Sequence, residues 1–366
     1  MNETEKLNAL RLMCTANIGP ITYGLLLARY GSATNAISEV PKLGNRQGRS
    51  LKVADKSVAL KIIEETENAK AHIIIRGDTD YPKRLLHFDD APIALFAKGH
   101  LSLLKKDMVA IVGARNASTN AMTLTAGWAA EIGTAGYVIV SGLARGIDRA
   151  AHIGALETGT IGIIGCGIDI IYPKENEDLH EQMCQSGLII TELPPGTKPS
   201  PRNFPARNRI IASLAKGTLV VEAALKSGSL ITAKESGERG ADVMAIPGAP
   251  TDPRSHGTNQ LIKEGAHLVT SSQDVLQILQ SPIAEPSTPN PPLLPGGLKD
   301  IDETIIKEVA KKIMKMTTFE AVDIDELTRQ CHVSANVIQV AILELEIAGY
   351  VQRLSGNRIC KVYIHD

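Results

Sequence analysis

The chain has 366 residues, of which 43% are hydrophobic and only 3% are aromatic, and its formal net charge at pH 7 is −1. This length exceeds one average domain and predicts two or three. The composition argues against a surface that stacks nucleobases on several aromatic side chains, and against recognition of a polyanion through a global excess of positive charge.

The five cysteines are spread along the chain without a C-x-x-C pair. This spacing argues against a zinc ribbon, an iron–sulfur cluster and a disulfide framework. The N-terminus, MNETEKLNAL, lacks a basic region followed by an apolar core, and no run of 18 apolar residues occurs. The sequence therefore predicts a cytoplasmic protein without a membrane partner.

Residues 1–70 are predicted to form a helical domain. An apolar helix, ITYGLLLARYG, follows Gly19-Pro20 and ends at Gly31, and an amphipathic helix precedes it. Two helices joined by an I-G-P turn resemble a helix-hairpin-helix or SAM-like unit. The turn has two interpretations: a phosphate site built from backbone amides, or a glycine-stopped turn of an ordinary small bundle.

Residues 71–280 contain short β-rich runs that alternate with helical stretches. The runs are HIIIR, IALFA, MVAIVG, YVIVSG, IGIIG, LIITE, TLVVEA, DVMAIPG and HLVTS, and most are apolar on both faces. That pattern is typical of strands buried in a mostly parallel sheet. Crossover helices are predicted at 119–134, 145–157, 204–215, 229–239 and 257–264. The pattern predicts a doubly wound, Rossmann-like α/β domain.

Residues 281–297, SPIAEPSTPNPPLLPGG, contain six prolines and no basic residue, which predicts an extended linker. Residues 298–366 hold three amphipathic segments followed by a hairpin around the sequence S-G-N. Three helices followed by a hairpin predict a winged-helix-like domain.

The third helix of this last domain has an unexpected charge. It carries Glu344 and Glu346 but no Lys or Arg, whereas a helix that reads duplex DNA should be basic. We therefore predict that the domain does not read duplex DNA. It would instead serve protein contacts, or weak contacts from its wing through Arg353, Arg358 and Lys361.

Glycine, serine and basic residues recur where the predicted strands end. In open α/β sheets, ligands bind outside the carboxyl ends of the strands, where glycine turns and helix N-termini let backbone N–H groups approach an anion. Tight packing of strand on helix explains any single turn of this kind, but their repetition beside basic residues favours anion binding. The candidates are Gly113, Arg115, Ser118, Ser141, Gly142, Arg145, Gly146, Arg207, Arg209, Lys226, Ser227, Gly228 and Ser229.

Arg207 and Arg209 lie in the first turn of the helix predicted at 204–215, where the unpaired N–H groups disfavour cations. Two residues apart, they point roughly 200° away from each other on a regular helix, so they should not share one role. We assign the anion to Arg209. Arg207 would either assist through the first turn or pair with a carboxylate.

No nucleotide-binding fingerprint is present. VGARNAS lacks the second and third glycines of G-x-G-x-x-G, and no P-loop G-x-x-x-x-G-K-[ST] occurs. Asp148 and His152 are four residues apart. They are either a catalytic pair that needs Ser141 or Ser229 as its nucleophile, or a first-turn carboxylate beside a packed histidine. The sequence predicts no cofactor, and nothing in it compels an enzyme.

Several long motifs resemble one bacterial family. SGLARGID-x-x-AH-x-GAL, GIDIIYP-x-E-N, FPARNRIIASL, VVEA…SGSLITA and PGAPTDPRSHGTNQLIKEGA together look like the DNA-processing protein A (DprA/Smf) family, over roughly 100–280. The resemblance implies an extended Rossmann fold and a non-catalytic role. Family members bind single-stranded DNA cooperatively, often as dimers, and load the RecA recombinase onto it during natural transformation.

By motif, the resemblance places DNA contacts at Arg115, at Arg207, Asn208 and Arg209, and at Lys226 with Ser227 to Ser229. The alternative is an enzyme of the phosphoribohydrolase type, which would use the same glycine-rich pocket. Such enzymes carry PGG-x-GT-x-x-E, and the corresponding VVEAALKSGSL keeps Glu222 but lacks PGG-x-GT. A pure interaction scaffold would leave the clustered arginines unexplained.

Overall fold

The computed structural model describes residues 1–49, 51–280, 301–354 and 356–363, so the predicted linker at 281–297 lies outside the described residues. The chain divides into two compact units. One consists of Met1–Lys61, Asp89–Ala94 and Asn290–Asp366, and the other of Ile62–Phe88 and Leu95–Pro289. The first and last parts of the chain therefore belong to the same unit.

The N-terminal segment folds into helices α1 (Glu3–Met13), α2 (Pro20–Tyr30), α3 (Ala33–Arg46) and α4 (Lys56–Asn68). Pro20 is a favourable first helical residue, and Gly31 ends α2 in the left-handed region with φ 83°. Ser32 then caps α3 by accepting a hydrogen bond from the backbone N–H of Asn35 at 3.1 Å. The predicted helical domain is confirmed.

The central part of the chain alternates strands with helices, as predicted. The strands are β1 (His72–Ile75), β2 (Ala94–Gly99), β3 (Met108–Gly113), β4 (Val138–Ser141), β5 (Thr160–Ile163), β6 (Leu188–Thr191), β7 (Gly217–Val221), β8 (Asp242–Ala245) and β9 (His267–Leu268). The helices are α5 (Thr119–Thr134), α6 (Ile147–Ala155), α7 (Glu177–Ser186), α8 (Asn203–Leu214), α9 (Gly228–Glu238), α10 (His256–Lys263) and α11 (Ser272–Gln280). The sequence pattern missed α7 and α11. In α7, only three residues, Leu179, His180 and Met183, are buried, so its apolar face is narrow.

The strands form one sheet in the order β1-β2-β6-β5-β4-β3-β7-β8-β9. Strands β3 to β9 run parallel to one another. Strand β2 pairs with β6 in the antiparallel direction. From β3 the chain first builds the sheet towards β6 and then returns to place β7 on the other side of β3. This reversal makes a switch point between β3 and β7, where ligands of doubly wound sheets bind.

The C-terminal segment contains α12 (Glu303–Met316), β10 (Val322–Asp323), α13 (Ile324–Cys331), α14 (Ala335–Ile347), β11 (Val351–Leu354) and β12 (Arg358–Lys361). Its strands form an antiparallel sheet in the order β10-β12-β11. The predicted winged helix is confirmed, and the short strand β10 adds to it. In the described part of the chain, no helix is long and apolar enough to cross a membrane.

The core beneath the candidate site lies between the sheet and α5 and α6. Trp128 and Ile132 of α5 pack with Ile139 of β4, and all three are at least nine-tenths buried. Burial of these side chains fixes the helices on the sheet and so determines where the loops before them begin.

We expect Ile139→Ala to lower the free energy of unfolding by about 2–5 kcal/mol, because it leaves a cavity in a close-packed core. Ile153, on α6, is 47% exposed, so Ile153→Ala is the matched control and should have a much smaller effect. Urea denaturation followed by Trp128 fluorescence measures both. If the two substitutions lowered the free energy of unfolding equally, this description of the core would be contradicted.

Candidate nucleic-acid interface

The loops after β3 and β7 are tied together at the switch point. The backbone N–H of Ser118 donates to Glu222 at 2.8 Å, and the Ser118 hydroxyl donates to the other carboxylate oxygen at 2.7 Å. The same hydroxyl accepts from the N–H of Ala121 at 3.1 Å and so caps α5. Ser118 therefore links the two loops and caps α5. Its contact with an anion remains a prediction.

The loops after β3 and β4 also touch. Gly146 has φ 76° and lies against the carbonyl groups of Ala114 and Arg115, where any β-carbon would overlap backbone oxygen atoms. The N–H of Ile147 donates to the carbonyl of Ala114 at 3.2 Å. Only glycine satisfies both the backbone conformation and the close approach at this position. Gly113, at the end of β3, lies beside this contact and faces Val221 of β7.

Arg207, in the first turns of α8, reaches beneath the loop after β4. Its side chain is 7% exposed, and its guanidinium lies so close to Gly142 that a β-carbon there would overlap it. Burial lowers the pKa of Arg207 to about 10, Asp148 partly offsets this effect, and Arg115 adds to it. Arg207 thus remains a cation that is attracted to the carboxylate of Asp148, but Nε of Arg207 has no hydrogen-bond partner among the described residues, and its pairing with a carboxylate stays a prediction.

Asp148 and His152 do not form a catalytic pair. Asp148 accepts hydrogen bonds from the backbone N–H groups of Gly142 at 3.1 Å and Ala144 at 3.4 Å. Burial raises its pKa, and the charge of Arg207 and these hydrogen bonds oppose that rise. His152 instead pairs through Nδ1 with the hydroxyl of Thr160 at 2.7 Å. Of the two interpretations, the structure therefore agrees with a first-turn carboxylate beside a packed histidine.

The two serines proposed as nucleophiles are buried. The hydroxyl of Ser141 donates to the carbonyl of Ile111 at 2.6 Å, within the sheet. The hydroxyl of Ser229 lies 2.6 Å from that of Ser227, which also accepts from the N–H of Ser229 at 3.4 Å. These contacts order the start of α9 and leave Ser141 no access to a ligand.

Arg209 and Asn208 connect α8 to two other strand ends. Arg209 forms an ion pair with Glu192, directly after β6, and the two side chains are 17% and 19% exposed. Asn208 donates to the carbonyl of Gly228 at 3.5 Å, at the start of α9, which follows β7. The structure therefore gives Arg209, which we had assigned to the anion, a carboxylate partner. Its role as an anion ligand remains a prediction.

Three of the candidate cations are exposed at this edge. Arg115 follows β3, Arg145 follows β4 and Lys226 follows β7, and each is open to solvent. Arg145 makes a long ion pair with Glu175 at 3.8 Å, and both side chains are more than half exposed. Exposed pairs of this kind are weak, so the three cations are available to an anionic ligand.

Two aromatic residues that the sequence analysis missed lie beside these cations. The ring of Phe204, at the start of α8, has its centroid 5.6 Å from that of Tyr172, and the guanidinium of Arg115 lies 5.8 Å from the Phe204 centroid. Tyr172 is 42% exposed. The low aromatic content of the chain argued against base stacking, and the position of Phe204 at the start of the FPARNR motif was the signal that pointed to this pair. Rings with an adjacent cation can hold the flat face of a base.

The site thus has a buried and an exposed layer. In the buried layer, Arg207 and Asp148 hold α8 against the loop after β4. In the exposed layer, three loops at this edge of the sheet each carry a cation, and Arg115 lies beside Phe204 at the start of α8. Such an arrangement favours a ligand that carries both negative charge and planar rings.

The buried histidine gives folding a pH dependence. Burial lowers the pKa of His152 to about 3, and the charge of Arg207 adds to this effect. The unfolded chain takes up this proton near pH 6.5, so the contribution of neutral His152 is complete above that pH and is lost as the pH falls.

We expect the free energy of unfolding to fall between pH 6.5 and 5, with this residue contributing up to about 1.4 kcal/mol per pH unit. His152→Gln should reduce that slope, because glutamine does not titrate. Urea denaturation at several pH values compares the two chains. Identical slopes would show that His152 titrates normally in the folded protein.

Comparison with known proteins agrees with the motifs and the geometry. Residues 72–280 match the family model of DNA recombination-mediator protein A, residues 3–64 match the DprA-like N-terminal HHH domain, and residues 301–357 match the DprA winged helix domain. Protein Smf of Synechocystis is 31% identical over 93% of this chain and 95% of its own length. DNA processing protein DprA of Streptococcus pneumoniae is 48% identical over 54% of this chain and 71% of its own length.

Two solved structures are similar as well. The X-ray structure of DprA from S. pneumoniae has a TM-score of 0.57 and 44% identity, and covers 61% of this chain and 77% of that chain. The structure of DNA processing protein A from Helicobacter pylori, described for its single-stranded DNA binding mode, has a TM-score of 0.54 and 30% identity. It covers 59% of this chain and 99% of that chain. With its three matched domains and its full-length relatives, the chain belongs to the DprA/Smf family of DNA recombination-mediator proteins.

Proposed function

We propose that this recombination mediator binds single-stranded DNA at the carboxyl edge of its large sheet. The observation that carries the proposal is that Arg115, Arg145 and Lys226 are exposed in the loops after β3, β4 and β7, while Arg115 lies 5.8 Å from the ring of Phe204, which is paired with Tyr172. Phosphates would contact the three cations, and one base would stack on the exposed aromatic pair. The homologue from H. pylori, described for binding single-stranded DNA, supports this ligand.

The geometry favours a single strand over a duplex. Base stacking on Phe204 and Tyr172 requires an unpaired base, because a base in a duplex has both faces covered by its neighbours. Arg207 would strengthen the positive potential from below without touching the ligand.

The wider role is part of the same proposal. In the family, the bound strand is handed to the RecA recombinase during natural transformation, and we propose that this chain, as a cytoplasmic homodimer, does the same without catalysis. A test is filament formation by RecA on DNA coated with single-strand binding protein. The chain should accelerate it, and light scattering should report a dimer.

A nucleotide-hydrolysing enzyme is not favoured. Glu222, the residue that such an activity would need, accepts two hydrogen bonds from Ser118 and holds two loops together. Incubation with nucleoside monophosphates should therefore release no free base. Release of base by the purified chain, lost in Glu222→Gln, would replace this proposal with an enzymatic one.

Removal of two exposed cations tests the site directly. We expect Arg115→Ala with Lys226→Ala to weaken binding of labelled oligothymidylate about 10- to 100-fold, because two phosphate contacts are lost. The slope of log K against log salt should become shallower by roughly 0.7 per lost contact. Fluorescence anisotropy across a salt series measures both values.

Lys106, exposed at the amino end of β3, provides the matched control for loss of a cation. Lys106→Ala should bind like the parent chain. If the double variant keeps the parental affinity and salt slope, DNA does not bind at the carboxyl edge.

The ion pair of Arg209 allows a gain-of-function test. Glu192→Gln removes the carboxylate that neutralises Arg209, so we expect single-stranded DNA to bind roughly 3- to 10-fold more tightly. Glu238→Gln removes the same charge as a control, because Glu238 lies on α9 and forms an exposed ion pair with Lys234 at 3.7 Å. Equal affinities for these two variants would exclude Arg209 as a DNA ligand.

A further inference from the structure

The third helix of the winged helix is engaged by the opposite end of the chain. Glu344 of α14 is 2% exposed, and one of its oxygens lies 3.6 Å from Arg29 and 3.3 Å from Arg46. Its other oxygen accepts a hydrogen bond from the side chain of Gln47 at 3.0 Å. Arg46 also contacts Glu303 at the start of α12. Glu344, one of the two acidic residues that are unsuitable for reading DNA, therefore binds arginines of the N-terminal helices.

The end of α14 also covers the turn before α2. Glu346 accepts a hydrogen bond from the hydroxyl of Thr22, in the first turn of α2, at 2.7 Å. The side chain of Asn17 donates to the carbonyl of Ile347 at 3.3 Å. This turn is the one that the sequence offered as a site for a phosphate. The carboxylate of Glu346 lies beside it and contacts the first turn of α2 through Thr22.

The wing residue Arg353 does not contribute to an exposed basic surface. Its side chain is 9% exposed, and it pairs with Glu346 at 3.2 Å and with Gln339 at 2.9 Å. The predicted DNA contact of Arg353 is therefore wrong, because the side chain is enclosed within the C-terminal domain. It positions Glu346 against α2.

The N-terminal partner of α14 has the features of a phosphate receptor. Arg29 and Arg46 approach one carboxylate from two helices, and Arg49 donates to the carbonyl of Ala348 at 3.5 Å. The start of α2, where Gly19 offers no side-chain cap, adds the positive end of the helix dipole. A carboxylate and a phosphate are recognised by the same donors, and arginine forks fit both.

We propose that Arg29, Arg46, Arg49 and the start of α2 form a second phosphate-binding face for nucleic acid, and that Glu344 and Glu346 occupy it in place of phosphates. This face lies in a different structural unit from the site at the carboxyl edge of the sheet. While α14 occupies the face, α14 itself is also unable to enter a DNA groove. Nucleic acid and α14 therefore compete for the same arginines.

The test uses the full chain with Arg115→Ala and Lys226→Ala, so that binding at the sheet edge is weakened in every sample. In this background we expect Glu344→Gln with Glu346→Gln to raise nucleic-acid affinity about tenfold, because neutral side chains no longer compete with phosphates. Adding Arg46→Ala and Arg49→Ala should abolish the gain. Anisotropy with single-stranded and duplex oligonucleotides distinguishes the two sources of phosphate.

The matched control is Glu308→Gln with Glu320→Gln, which changes net charge equally at two exposed positions of the C-terminal domain. It should give no gain. Because the gain is a difference between chains with the same α/β domain, it does not depend on whether Arg115 is a ligand. Glu346→Gln alone leaves the buried Glu344 in place and should give a smaller gain, should the double variant fold poorly.

Hydrogen exchange of 335–348 reports whether α14 has left the N-terminal helices, and it should increase in the double variant. Increased exchange without a gain in affinity would show that the face does not bind phosphates. Unchanged exchange and affinity would show that the carboxylates do not hold the face. Either result would overturn the proposal.

Discussion

The guanidinium of Arg207 lies beneath the loop after β4, and the geometry of the site depends on it. Its charge is buried beside Asp148, which is held by two backbone N–H groups of the same loop. The opposite charges of Arg207 and Asp148 attract each other across this contact and favour α8 lying against the loop, although Nε of Arg207 has no hydrogen-bond partner among the described residues. Glycine is required at position 142 because a β-carbon there would overlap the guanidinium. The buried side chain of His152 stays neutral, since burial and the charge of Arg207 both lower its pKa.

This arrangement explains two arginines at the positive end of a helix. Each faces a carboxylate from a neighbouring element, Arg207 that of Asp148 in the first turn of α6 and Arg209 that of Glu192 directly after β6. The cations that face solvent come from the loops instead. The helix therefore contributes position and the ring of Phe204, and the loops contribute charge.

Much of the fold could be predicted because its strands are apolar on both faces and end in glycine turns. The edge of the sheet that carries the candidates followed from the rule for parallel strands. Periodicity could not show which of Arg207 and Arg209 is more deeply buried, because that depends on the residues that face α8 across the fold. Nor could it reveal the pairing of Glu344 with Arg29 and Arg46, which joins positions about 300 residues apart.

The most direct test of the site at the sheet edge is photo-crosslinking of the parent chain to an oligonucleotide that contains iodouracil, followed by mass spectrometry of the linked peptides. Iodouracil reacts with aromatic rings on which the base stacks. The proposed site predicts crosslinks at Phe204 or Tyr172 that free oligothymidylate competes away. Crosslinks confined to peptides outside 95–280 would contradict it.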